Sequence, residues 1–307
     1  METNHSAYHV PALLPEALSL LDIKPGGVYL DATFGGGGHS RAILEALGKT
    51  GKLYSFDRDI EAHRNAIDDP RFTFVHSNFR YIENFMQFHG VEKVDGILAD
   101  LGVSFHHFDT PERGFSFRAD APLDMRMNRK ADSTAADILA GADEDALIGM
   151  FKAYADLKNP VKTAKSIIQA KEKEPIVTTL QLADSVKGAL DPRQEKKELA
   201  QVFQALRIAT NHEMEDLRRF LMSTLKVLRP GGRLVVLTYH SMEDRMVKNF
   251  MKTGNIEGKE DKDFFGKVDT PWRLVTRKPI EATAEEVERN PRARSAKLRA
   301  AERLEQN

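Results

Sequence analysis

From residue 26 to about residue 106, short runs rich in β-branched and aromatic residues alternate with stretches of helical periodicity, and this alternation constrains the fold more than any other feature. "VYLDATF" is followed by "SRAILEALG", in which Ile43, Leu44 and Leu47 share one helical face and Gly48 supplies a C-terminal stop. Then come "KLYSFDRD", the helix-like "IEAHRNAI", the strand-like "RFTFVHS" and "VDGILADLGVS". Strands alternating with helices build a parallel sheet covered on both faces, so the expected class is α/β.

After residue 106 the rhythm breaks. Residues 133–210 carry helix starts at "DST", "GADED" and "NP" (Asn159 as cap, Pro160 in the first turn), then "TTLQLADSV", with hardly a strand signal among them. Strand character returns with "RPGGRLVVLTYHS" and "PWRLVTR". The expected organisation is one α/β domain made of residues 1–106 and 212–307, with a helical domain, 107–211, inserted between. Two consecutive domains are the alternative, but so few strands after the break make a poor separate core.

A chain of 307 residues with 41% hydrophobic content can bury a sizeable core. The absence of cysteine excludes disulfides, thiolate metal sites and thiol nucleophiles, and fits a cytoplasmic location. "METNHSAYHVPALL" has neither a basic flank nor a long apolar run, and no segment approaches the ~18 apolar residues of a membrane span, so neither export nor membrane insertion is expected. No His and carboxylate spacing resembles a metal site. The net charge of −1 leaves nucleic-acid binding to be judged locally.

The densest chemistry lies at "DATFGGGGHS", where the first strand run gives way to the first helix. In open parallel sheets ligands sit at the carboxyl ends of the strands, and glycines there let ligand atoms approach the backbone. A merely tight turn needs one or two glycines rather than four. A nucleotide phosphate also suits a helix N-terminus, but Asp31, before the glycines, suits a cationic group instead. Asp57, closing the second strand run, can accept hydrogen bonds from both hydroxyls of a ribose, or simply cap the following helix. A ribose reader beside a site favouring a sulfonium or ammonium points to S-adenosylmethionine, whereas NAD leaves Asp31 unexplained. Asp100 ends the fourth run at the same sheet edge, where amino-methyltransferases place an Asp or Asn that holds the exocyclic amine. Their usual Pro-Pro-aromatic continuation is replaced here by "DLGV".

Taken in order, "HVPALLPEAL", "DATFGGGGHSRAIL", "FDRD", "DGILADLGVS", "ERGFSF" with "APLDMRMN", "VFQALRIATNHEMEDL", "LRPGGRLVVLTYHSMEDRMVKNF" and "NPRARSAKLRAAER" resemble the bacterial ribosomal small-subunit RNA methyltransferase H family from about residue 9 to 303. The resemblance implies a Rossmann-like S-adenosylmethionine-dependent methyltransferase with an inserted helical domain. It implies methyl transfer to N4 of a cytidine in the P-site decoding region of 16S rRNA, with the small ribosomal subunit as partner.

Carried over by position, the resemblance implies cofactor contacts at Gly37, Gly38, His39, Asp57, Phe79, Asp100 and His107, with Asp100 also catalytic. His107 stands where the family commonly has glutamine, Phe105 departs from the usual "GVSS", and residues 151–175 lack the usual Tyr-Gly-Glu-Glu segment. His39 has a second reading as a helix cap, and His240 is expected to line the substrate side of the sheet edge. The tail, with Arg289, Arg292, Arg294, Lys297, Arg299 and Arg303 against Glu302, is expected to meet RNA, a solvated helix face being the rival. Arg113, Arg118 and Arg126 with Phe115 and Phe117 form a second basic and aromatic cluster suited to phosphates and an unstacked base, against core packing of the two rings. The rival functions are a related DNA or RNA amino-methyltransferase and a cofactor-binding assembly factor without chemistry.

Overall fold

The computed structural model describes residues 11–102, 110–262, 266 and 269–305. The chain divides into two compact units, Met1–Gly102 with Glu215–Asn307, and Val103–Met214.

The first unit opens with α1 (Leu14–Leu21), which carries a proline in its first turn, and continues through β1 (Val28–Asp31), α2 (Gly38–Ala46), β2 (Lys52–Asp57) and β3 (Phe72–His76). The helix-like stretch after β2 is a 3-10 segment, Ile60–Asn65; six residues before the turn to β3 are too few to nucleate a stable α-helix. Next come α3 (Ile82–Phe88) and β4 (Val94–Asp100). After the second unit the strands resume with β5 (Leu228–Thr238), β6 (Trp272–Leu274), β7 (Ile280–Glu281) and β8 (Lys297–Arg303).

These strands form one sheet in the order β3-β2-β1-β4-β5-β8-β6, with β7 also paired to β8. The pairs among β1 to β5 are parallel, and β8 runs antiparallel to β5, β6 and β7. The order reverses between β1 and β4, the switch point at which a crevice opens outside the carboxyl ends of the strands. Leu30, Leu53, Phe56, Ile97, Leu98, Val235 and Leu237 are fully buried, which explains why these strands read as unbroken apolar runs rather than alternating ones.

The basic tail departs from expectation. Lys297–Arg303 is neither a solvated helix nor a free arm but strand β8, inside the sheet, with Leu298, Ala300 and Ala301 completely buried. Arg299 and Arg303 are each 7% exposed. Arg299 donates to both carboxylate oxygens of Asp244, at 2.7 and 3.0 Å, and Arg303 donates to the carbonyls of Pro271 and Leu304. Long apolar stems with paired head groups let arginines occupy a sheet that a charge count assigns to solvent. Arg292 and Arg294, just before the strand, are exposed.

The second unit is helical: α4 (Ala135–Gly141), α5 (Glu144–Tyr154), α6 (Pro160–Lys171), α7 (Thr179–Lys187) and α8 (Glu195–Asn211). Thr134 and Thr178 cap α4 and α7 through reciprocal capping boxes, and the Asp143 side chain caps α5. Asn159 precedes α6 without a side-chain cap, so Pro160 is the signal that holds there. The core of this unit includes Phe115, Leu147, Phe151, Ile167, Leu182 and Leu206. The basic and aromatic cluster is largely internal. Arg113 is buried and donates to the carbonyls of Arg126 and Met127, Arg126 grips Asp124 with two nitrogens, and Phe117 meets Phe203 edge to face at 5.2 Å. Core packing wins for both phenylalanines, and Arg118 alone of the three arginines is exposed. A helix, α9 (Glu213–Val227), leads back to β5, followed later by α10 (Ser241–Thr253) and α11 (Ala284–Arg289). Among the described residues no helix is long and apolar enough to cross a membrane.

Candidate active site

The carboxyl ends of β1, β2, β4 and β5 bring the chemistry-bearing residues of the first unit to one edge. Asp31 ends β1 and is 1% exposed. Its oxygens are engaged within the protein, one accepting the Ser40 hydroxyl at 2.6 Å and the other the Thr33 N–H at 3.0 Å, while Ser40 also meets the Ser55 hydroxyl at 2.8 Å. Burial pushes the Asp31 carboxyl above the ordinary range, opposed by His39 and the Ser40 hydroxyl. Asp31 thus pins the start of α2 beneath the glycine loop.

The four glycines divide into two pairs. Gly37 is the N-cap of α2 in the left-handed region (φ 76°), and a Cβ there would lie 2.6 Å from Arg41 and 2.9 Å from the Phe34 ring. A Cβ on Gly38 would lie 2.4 Å from Pro11. Packing therefore demands both. At Gly35 and Gly36 a Cβ would meet nothing within 4 Å, so those two expose backbone to open space. Residues Gly37 and Gly38 were the expected contacts; the open positions are their two predecessors.

His39 is in the first turn of α2 and only 5% exposed. It does not cap the helix, a place taken by Gly37. Its Nδ1 is 3.8 Å from Asp100 Oδ2, and its buried Nε2 has no hydrogen-bond partner. Asp57, at the end of β2, accepts the Gly35 N–H on Oδ2 and the Asp59 N–H on Oδ1, both at 2.8 Å. Burial is the largest influence on it and lifts its pKa to about 6 against those two hydrogen bonds. Phe79 follows β3 in a short 3-10 turn whose cap, Asn78, accepts the Arg80 N–H; the Phe79 ring is half-buried against Phe220 at 5.2 Å, edge to face. His107 and Phe105 lie outside the described residues.

Asp100 closes β4 opposite Leu237 of β5. Its N–H donates to Thr33 Oγ1 at 2.7 Å, its Oδ1 receives the Gly102 N–H at 3.2 Å, and the Tyr239 ring lies beside it across Gly102. Thr33 and Tyr239 were not singled out from the sequence, although Tyr239 directly follows the β5 run, where an end-of-strand reading was available. His240, two residues after the end of β5, caps α10. Its Nδ1 accepts the Glu243 N–H at 3.4 Å, and Glu243 Oε2 reaches back to the N–H groups of Tyr239 and His240.

A 3-2-1-4-5 parallel sheet with a bare glycine loop after β1, a carboxylate at the end of β2 and another at the end of β4 defines a Rossmann-like methyltransferase of the S-adenosylmethionine-dependent class. Within that class, the chain belongs to the MraW methylase family, which it matches over residues 6–304. It is similar to the ribosomal RNA small subunit methyltransferase H of Phocaeicola vulgatus, with 58% identity over 296 residues, 96% of this chain and 97% of the relative. The protein of that name from Parabacteroides distasonis is 58% identical over 305 residues, 99% of this chain and all of the relative. That from Bacteroides thetaiotaomicron is 55% identical over 303 residues, again 99% of this chain and the whole relative.

Proposed function

We propose that this chain transfers the methyl group of S-adenosylmethionine to the exocyclic N4 of a cytidine in the P-site decoding region of 16S rRNA. The observation that carries the reading is Asp100, held at the end of β4 by its N–H to Thr33 and by the Gly102 N–H to its carboxylate, with His39 of the glycine-loop helix at 3.8 Å.

The residues present fit the cofactor. Gly35 and Gly36 offer bare backbone in open space, and His39 keeps a buried Nε2 without a partner. The glycine loop, His39, Asp57 and Phe79 would hold it, Asp57 taking the ribose. When bound, S-adenosylmethionine supplies a methyl group on a sulfonium, an already activated leaving group. The protein's own work is then alignment and exclusion of water rather than strong acid-base chemistry. Cytosine N4 is a poor nucleophile because its lone pair is delocalised into the ring. By accepting an N–H of that amine, Asp100 draws density back to the nitrogen as it pyramidalises and fixes it in line with the methyl group.

The helical unit and the exposed Arg292 and Arg294 are assigned to RNA, with Arg118 as a further contact from the helical unit. Transfer of tritiated methyl to small subunits, naked rRNA and DNA tests the reading. Label in one 16S rRNA cytidine is expected; label in DNA, or in none of the three, overturns it.

A further inference from the structure

Asp216 of α9 is 2% exposed, and each of three donors that converge on it is a chain neighbour of a residue assigned to the cofactor. Arg58, which follows Asp57, brings Nη1 to 3.5 Å from Asp216 Oδ2. Asn78 and Arg80 flank Phe79. The Asn78 amide donates to Asp216 Oδ2, and Arg80 Nη1 donates to Oδ1 at 2.9 Å. Asn78 also accepts the Arg80 N–H on its own Oδ1 at 3.0 Å, which caps the turn that carries Phe79. One helical turn further along α9, the fully buried Phe220 meets the Phe79 ring edge to face at 5.2 Å. The helix therefore holds the Phe79 turn at two points on one face, its polar flanks through Asp216 and its ring through Phe220.

A carboxylate costs desolvation in this place. The same stretch of α9 buries Leu217, Phe220 and Leu221, and a buried ion pair adds little stability over apolar packing of the same volume. What it adds is a fixed geometry between two loops. The Ser77 N–H donates to the Asp57 carbonyl at 2.9 Å and joins the ends of β2 and β3 through the backbone. Asp216 joins them through side chains, at Arg58 on the ribose side and at Asn78 and Arg80 around the aromatic ring one strand beyond, where an adenine fits.

We propose that Asp216 is a positioning residue for S-adenosylmethionine, setting the Phe79 turn against the end of β2 so that the ribose and adenine contacts keep one spacing. The inference rests on the function proposed above, in which Asp57 takes the ribose and Phe79 belongs to the cofactor site. Asp216 itself touches no part of the cofactor; it acts through Arg58, Asn78 and Arg80.

The test is Asp216→Asn, which keeps the shape and removes the charge, with binding read by calorimetry well below the melting transition. S-adenosylmethionine is expected to bind about 10-fold more weakly, while the single-turnover rate at saturating cofactor stays within about twofold of wild type. Arg80→Gln, at the more exposed end of the pair, is expected to weaken binding in the same direction, and the two changes together less than additively, because they break one interaction. Amide exchange in the ligand-free protein is a second measurement: in both variants the Arg80 N–H is expected to exchange faster relative to the amides of β1. An affinity equal to wild type in folded Asp216→Asn, a loss confined to the saturated rate, or Arg80 exchange that moves only in step with β1 overturns the proposal. If Asp216→Asn does not fold, affinity and exchange in Arg80→Gln decide. Wild type that binds no S-adenosylmethionine counts instead against the function proposed above, and Arg80 exchange still decides whether Asp216 holds the turn.

Discussion

Asp57 Oδ2 accepts the Gly35 N–H at 2.8 Å, tying the end of β2 to the first of the four glycines. The residue expected to read a ribose therefore also fixes the loop on which that ribose's cofactor would rest. Its second oxygen accepts the Asp59 N–H, so each oxygen has spent one lone pair inside the protein and keeps another for a ligand hydroxyl.

This arrangement sets a pH dependence. With its pKa raised to about 6 by burial, Asp57 is half protonated near that pH in the free protein. Ribose hydroxyls donate to the anion and pull the pKa down, so binding releases a proton near pH 6. Cofactor affinity should weaken as pH falls below about 6, approaching tenfold per pH unit, and Asp57→Asn should flatten the profile. The fold responds with the opposite sign: a carboxyl whose pKa is raised on folding contributes most stability below its unfolded value and loses it as pH rises through about 6. Calorimetry in two buffers of different ionisation enthalpy checks the proton release.

The glycine pairs separate binding from folding. Gly36 has no positive φ and nothing within 4 Å of a Cβ, so Gly36→Ala should leave Tm unchanged while lowering cofactor affinity at least tenfold. Gly38→Ala drives a Cβ to 2.4 Å from Pro11 and should cost about 1–3 kcal/mol of stability. Thermal melts with and without S-adenosylmethionine distinguish the two. Equal effects on both quantities would mean that the open side of the loop is not where the cofactor lies.

The sequence carries the sheet because buried parallel strands are written as continuous apolar runs, as in "GILA" and "RLVVL". It carries Asp31, Asp57 and Asp100 at the sheet edge because each is the first charge after such a run. What it hides is pairing. Arg299 and Arg303 read as solvated charges until Asp244, 55 residues from Arg299, and the Pro271 carbonyl, 32 residues from Arg303, are seen to close on them. Arg113 resembles a phosphate ligand until the carbonyls of Arg126 and Met127 close on it. Four glycines look like one signal, but the atoms that divide them, Pro11, Phe34 and Arg41, belong to other turns of the chain.

The tail splits accordingly. Arg299→Ala leaves Asp244 unpaired against a buried strand and should destabilise the fold by about 3–5 kcal/mol. Neutralising Arg292 and Arg294 together should weaken RNA binding and reduce its log-log salt slope by about 0.7 per lost contact to single-stranded RNA. Filter binding across a salt series reads the slope. If it stays as in wild type, the phosphate contacts lie elsewhere.

Asp100 separates chemistry from binding. Its backbone N–H is tied to Thr33 and its carboxylate to the Gly102 N–H, and its proposed grip on the amine strengthens as the nitrogen leaves planarity, so the contact is worth most in the transition state. Asp100→Ala should therefore lower single-turnover methylation by about 100-fold or more, roughly 2.7 kcal/mol, with a smaller effect on RNA affinity. Asp100→Asn keeps an acceptor oxygen without the charge and should fall between alanine and wild type. Because the residue also stands 3.8 Å from His39, S-adenosylmethionine affinity must be measured in parallel and the rates compared at saturation. A rate for Asp100→Ala equal to wild type under those conditions would remove the carboxylate from the reaction and leave the amine to backbone carbonyls at the same strand edge.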